Sequence, residues 1–284
     1  MKSYDANLKS GDGTDFFVRC WEPGSRTKAV IVLIHGLGEH TGRYEHVAQA
    51  LTGAGYALCG MDLRGHGRSG GVRGHIPSLD VAMQDIREFL IFVTKRYPEL
   101  FHFLYGHSMG GLLTLAYALH HKPVVKGVIV TSPGLRSPLR EQKGKVLLAR
   151  ILGSLTPNTL LVSGLDTGGL ARDAQVIQAY TTDPLVHDRI SLGLGKGLLK
   201  AADDVWEHAG EFTLPLLMMH GTADSITYAH GSEGFAALAS KNNRDVTLKL
   251  WDGFYHELHN EHQKQDVFRF MIDWLDAHIQ PAAS

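Results

Sequence analysis

Two stretches of this chain fit G-x-S-x-G, the pattern that seats a serine nucleophile on a sharp strand-to-helix turn: GRSGG at 67–71 and GHSMG at 106–110. With 32 Gly in 284 residues, the pattern carries weight only where a strand enters the turn and a helix leaves it. Around Ser69 the setting is wrong. The apolar run YALCGMD stops at Asp62, turn-forming residues follow, and GVRGHIPS beyond the serine has no helical period, so Ser69 is expected in a flexible loop with a structural role. Around Ser108 the setting is right. FHFLYG runs directly into the turn and GLLTLAYALHH leaves it as an apolar helix, while Gly106 and Gly110 remove β-carbons that would collide in so tight a bend. Such a turn lifts the hydroxyl to a helix N-terminus, where the dipole favours developing negative charge.

A serine hydroxyl needs a base, and the base an orienting acid. Seventeen histidines make any single one uninformative, so position decides. In the chain order Ser, acid, His, His256 follows the strand-like VTLKLWDG and Asp224 ends LPLLMMHGTAD, both at expected strand ends. Asp252 lies only four residues from His256, and Asp203 and Asp204 fall in a different region, which makes them weaker candidates. Acyl transfer also needs donors for an oxyanion. The backbone N–H of Met109, next after the serine, and that of Leu37, after IVLIHG, are the expected pair. Gly36-x-Gly38 is not a dinucleotide loop, because Gly42 is one residue too far for G-x-G-x-x-G. HELHNEH at 256–262 is rich in ligand types, yet Asn260 stands where a zincin needs histidine, so no metal is expected.

These residues require elements to hold them. Near-continuous apolar runs at 29–36, 56–62, 101–106, 125–133, 214–224 and 246–253 read as strands of a sheet covered on both faces. Segments 4–9 and 15–23 could form an antiparallel lead-in. Helical patterns at 43–54, 78–97, 112–121, 228–240 and 263–279 alternate with the strands, which makes an α/β fold. About 80 residues separate the strands near Ser132 and Leu214, where a crossover needs roughly a dozen. That excess, with helical patterns at 140–154, 171–182 and 189–209, is expected to form a cap over the carboxyl end of the sheet, where open α/β sheets bind ligands. The organisation is thus a core at 1–134, a cap at 135–212 and the rest of the core at 213–284. Gly193, Gly195 and Gly197 cost about 1 kcal/mol each in a helix, so a loop or close packing is expected there.

Composition narrows the function. Net charge is −1, which gives no footing for nucleic acid. The 44% hydrophobic and 20% charged content is that of a globular chain long enough to bury a large core. Cys20 and Cys59 sit in apolar runs and are expected to be buried free thiols, which implies a reducing compartment, the cytoplasm. No signal-peptide h-region and no apolar run near 18 residues is seen. Within 140–155, Val146, Leu147, Leu148, Ile151, Leu152 and Leu155 fall on one side, flanked by Arg140, Lys143, Lys145 and Arg150. Such a helix can lie in a membrane interface, or its leucines can pack onto the core.

Taken together, HGLGEHTGRY (35–44), D-x-R-GHG-x-S (62–69), GHSMGG (106–111), HGTAD (220–224) and YHELH (255–259) resemble the monoacylglycerol lipase and lysophospholipase group of the α/β-hydrolase superfamily. The likeness continues through KVLLARILGSLTPN and AYTTDPL. It implies the α/β-hydrolase fold with a mostly parallel eight-stranded sheet, a lipid ester substrate, no cofactor, and an ester tunnel with a polar end for glycerol. Glu39, Arg43, Tyr180 and His259 match positions near that end; the alternative is a structural Glu39–Arg43 ion pair and a packed His259. Lysophospholipids or short esters are the alternative substrates.

Overall fold

The computed structural model describes residues 1–279, with the side chain of Lys145 outside the described part. The lead-in is a hairpin, β1 (Lys2–Lys9) and β2 (Asp15–Glu22), paired antiparallel. Four strands are fully buried, β3 (Ala29–Ile34), β4 (Tyr56–Met61), β6 (Gly127–Thr131) and, after the long insertion, β9 (Leu216–Gly221), and β5 (Phe101–His107) is buried in all but Phe101. With the edge strand β10 (Val246–Trp251) they make one eight-stranded sheet, ordered β1-β2-β4-β3-β5-β6-β9-β10 and parallel from β4 onward. Their unbroken Val, Ile and Leu runs fit this burial, because each face is covered by helices.

On one face α1 (Glu45–Gly53) and α9 (Lys264–Ile279) bury Val47, Leu51, Val267, Met271 and Leu275 against Tyr56, Leu58 and Phe103. On the other, α2 (Leu79–Arg96), α3 (Met109–His121) and α8 (Ala229–Ala239) cover Val32, Leu104 and Val130. Helix α2 starts where Ser78 Oγ accepts the Val81 N–H, a side-chain cap that satisfies an otherwise orphaned donor. Helix α3 is buried along nearly all of its length, which is why its sequence lacks a polar face.

Between β6 and β9 lie the short α4 (Pro138–Glu141), α5 (Lys143–Leu155), α6 (Ala174–Thr182), α7 (Leu192–Glu207) and a two-stranded ladder of β7 (Leu160–Val162) with β8 (Arg189–Ser191). No interruption occurs at the three glycines: α7 runs through them. Close packing explains one, since a β-carbon on Gly193 would lie 2.9 Å from the Pro157 carbonyl. Gly195 and Gly197 meet only ordinary contacts, and nothing in the structure requires glycine there. The helix survives them because Leu194, Leu199, Ala201, Ala202 and Val205 are buried, and each large side chain so buried returns about 1.5–3 kcal/mol.

The cysteines correct another expectation. Cys20 and Cys59 face each other in the β2–β4 register, with Cα atoms 4.1 Å apart, and form a disulfide. They are not free thiols, and the inference to a reducing compartment falls with them. Sequence separation concealed the pair, because only the antiparallel register brings the two residues together.

Candidate active site

Strand β5 delivers Ser108 to the mouth of α3 at φ 55°, ψ −119°. A non-glycine residue there costs about 1–3 kcal/mol and persists only where its surroundings impose it. The surroundings do so: the Ser108 N–H donates to Thr131 O on β6, and its carbonyl accepts from Leu112 and Gly134. A β-carbon at 110 would strike the carbonyl oxygens of Ile34 and His35, so only glycine lets α3 enter this close to β3.

The Ser108 hydroxyl lies 2.8 Å from His256 Nε2 and donates to it. His256 Nδ1–H donates to Asp224 Oδ2 at 2.7 Å. Asp224, buried, is held in turn by the N–H groups of Ile226 and Thr227 on Oδ1, and by the Thr227 hydroxyl and His220 on Oδ2. Burial alone disfavours its charge, but the facing His256 and the hydrogen bonds from His220 and His256 outweigh this and hold its pKa far below the usual carboxylate range. For His256, burial opposes the charged ring and the Asp224 carboxylate favours it; the net shift is upward. Ser132 Oγ–H donates to the His256 carbonyl at 2.7 Å and fixes the loop that carries the base. The arrangement suits a proton relay away from a serine oxygen.

Leu37, in the loop after β3, lines a small cavity with Gly36, Glu39, His107, Ser108, Leu165, Leu170, Tyr180, His256 and Glu257. Met109 is the first residue of α3, so its N–H stands at the helix N-terminus beside the serine. The inserted segment grips the floor of the cavity directly. The Glu257 and His256 N–H groups donate to the carbonyls of Leu170 and Gly169.

Glu39, Arg43, Tyr180 and His259 cluster next to this cavity, though not as four open positions. Arg43 makes a fork to both oxygens of Glu257, at 2.6 and 2.8 Å, and bonds Glu39 at 2.7 Å. Glu39 also accepts from Tyr44 and from the Gly36 N–H. Burial works against both carboxylates, and the guanidinium between them keeps their pKa values low. Tyr180 faces the Arg43 guanidinium at 4.6 Å from its ring centre, a cation–π contact. His259 is stacked on Tyr44, and neither ring nitrogen has a hydrogen-bond partner among the described residues. Burial holds it neutral. Glu257 was missed by sequence reasoning, although it sits beside the base in YHELH; its partner is 214 positions away. His220 and Thr227 were missed as well, and His220 stood four residues before Asp224 in HGTAD as the available signal.

Ser69 has a different fate. Its hydroxyl accepts the Phe17 N–H and donates to the Asp62 carbonyl, so it is buried and fixed, not flexible. Its role is structural. On α5, Leu147, Leu148, Ile151 and Leu155 are 60%, 54%, 47% and 72% exposed, whereas Val146 and Leu152 are half-buried. No helix among the described residues is long and apolar enough to cross a membrane.

The family model "Serine aminopeptidase, S33" matches residues 25–263. A monoacylglycerol lipase of Mycolicibacterium smegmatis is 33% identical over 91% of this chain and 92% of its own length. The chain is 37% identical to an abhydrolase domain-containing protein of Dictyostelium discoideum over 99% of its own length, and spans 30% of that longer protein. Among solved structures, Paleococcus ferrophilus monoacylglycerol lipase superimposes with a TM-score of 0.81 at 34% identity, covering 98% of this chain and 100% of that one.

Proposed function

The chain belongs to the monoglyceride lipase group of the α/β-hydrolase superfamily, and from that premise we propose that Ser108, His256 and Asp224 hydrolyse monoacylglycerols to glycerol and fatty acid. The observation that carries the reading is the unbroken chain from the Ser108 hydroxyl through His256 to Asp224, set in a cavity that Leu165, Leu170 and Tyr180 of the inserted segment help to line. Ser108 Oγ attacks the ester carbonyl as its proton passes to His256 Nε2. The tetrahedral oxyanion is held by the N–H groups of Leu37 and Met109, donors worth about 3–4 kcal/mol each where water is excluded. Collapse releases glycerol, protonated by His256, and leaves the acyl group on Ser108. Water, deprotonated by the same ring, then frees the fatty acid. Asp224 stays ionised throughout, which its hydrogen bonds favour.

Residues 135–212 serve as a cap on this reading, and the exposed leucines of α5 are its contact with a lipid surface. Tyr180, Glu39 and Glu257 line the cavity and are placed to meet the glycerol end, while Arg43 holds the two carboxylates and the Tyr180 ring from behind. A hydrolysis panel tests the substrate class. Monoacylglycerols should be turned over with higher kcat/KM than lysophospholipids or p-nitrophenyl esters of matched chain length; a clear preference for lysophospholipids overturns the monoacylglycerol assignment in favour of the lysophospholipase alternative.

A further inference from the structure

At the far end of α3 from Ser108, about 18 Å along the helix at 1.5 Å per residue, three metal-ligating side chains meet. His120 stands in the last turn of α3, Asp204 near the end of α7, and His208 at the C-cap of α7. One ligand atom from each lies within 4.8 Å of the others. His120 Nε2 and Asp204 Oδ2 are 2.5 Å apart, and the His120 and His208 rings meet nearly at right angles, centres 5.6 Å apart.

We propose that this cluster is a zinc site that ties the inserted segment to the helix carrying the nucleophile. The donor set is two imidazoles and one carboxylate, which suits zinc and disfavours calcium or magnesium, both of which seek oxygen. His208 Nδ1–H donates to the Asp204 carbonyl at 2.9 Å. That bond fixes the tautomer with a lone pair on Nε2, the backbone support that ligating histidines commonly use. Asp204 and His208 are four residues apart on the same helix face, and His120 comes from a different helix, so an ion would cross-link two elements. Ligand atoms around a tetrahedral zinc sit about 3.3 Å apart, given bonds of about 2.0–2.1 Å. The side chains are 44%, 36% and 35% exposed, free to rotate the small distance required and open to an ion from solvent. The adjoining cleft, lined by His120, Lys200 and Asp204 with Leu79 and Ala116, leaves room for a water as fourth ligand. No catalytic group takes part.

Calorimetric titration of zinc chloride into tag-free, chelator-treated protein tests the site. One zinc per chain should bind, at least about tenfold more weakly in His120→Ala and in His208→Ala, and unchanged in His262→Ala, a control at another exposed histidine. Magnesium and calcium should give no comparable binding. Zinc at a hundred times its Kd should raise Tm by about 5–10 °C, and the rise should vanish in the double variant His120→Ala/His208→Ala. Asp204→Asn, which keeps the side chain's shape, should weaken zinc to a similar degree and guards against a folding defect in the histidine variants. Absence of stoichiometric zinc binding, or equal affinity in the double variant, overturns the proposal.

Discussion

The floor of the site and helix α5 are built on opposite rules. On the floor, Asp224, Glu39 and Glu257 are buried and Arg43 is half-buried between two of them, and their charged atoms are engaged by hydrogen bonds. On α5, apolar side chains are left in the open, with Leu155 72% exposed. A buried charge survives only when paired. An exposed leucine needs no partner inside the protein, and four on one helix form a surface suited to something outside it. The same chain thus pairs its charges where chemistry is expected and leaves an apolar face of α5 uncovered. The two regions should therefore fail differently when altered.

The largest effect belongs to the floor. Asp224→Asn keeps the shape but removes the charge that orients and stabilises the imidazolium, and kcat should fall by about 10⁴-fold. Steady-state kinetics beside an unchanged circular dichroism spectrum checks this. Next comes the ion pair behind the cavity. Arg43→Met strands Glu39 and Glu257 without their cation and should cost about 3–5 kcal/mol of stability; a denaturant midpoint close to wild type contradicts the account.

Acidity should separate the histidines by sign. His66, His107 and His259 are neutral because burial depresses them, His107 to about 4. The unfolded chain takes up their protons near 6.5, so the stability they supply is full above that pH and is lost as pH falls toward 4. His256 is shifted the other way by Asp224 against its burial, so its share is present below 6.5 and fades as pH rises through its folded value. Since only the neutral ring accepts the serine proton, kcat/KM should drop on the acid side from a midpoint above 6.5. Melting temperature and kcat/KM measured from pH 8 to 4 give both curves. Activity that stays flat to pH 5 in folded protein excludes a histidine base.

The smallest stability effect belongs to α5. Leu147→Asp with Leu148→Asp places carboxylates in solvent and should move stability by no more than about 0.5 kcal/mol per site. Liposome binding and turnover of long-chain monoacylglycerol should fall while hydrolysis of a soluble C4 ester persists. Equal loss of both activities with a large drop in Tm shows instead that these leucines pack inside.

The same contrast explains what the amino-acid order discloses. Ser108, Asp224 and His256 are legible because each follows an apolar strand, and strand ends are local patterns. The alternation of strands and helices is local too, and all eight strands of the main sheet appear near their expected positions. What escapes is pairing over distance. Cys20 meets Cys59 only through the β2–β4 register, and Arg43 meets Glu257 only when two strand ends converge. Helix α7 was obscured for another reason: its glycines argue for a break, and tertiary burial overrides that propensity.

The central claim is that Ser108, and not Ser69, is the nucleophile, although both sit in the same five-residue pattern. Mass-spectrometric mapping of a fluorophosphonate adduct, run on wild type, Ser108→Ala and Ser69→Ala, tests it most directly. A single adduct is expected on Ser108, absent in Ser108→Ala together with monoacylglycerol hydrolysis. In Ser69→Ala the adduct should be retained, with stability lowered by about 1–3 kcal/mol for the buried hydrogen bonds it loses. An adduct that persists in Ser108→Ala, or that maps to Ser69, contradicts the account.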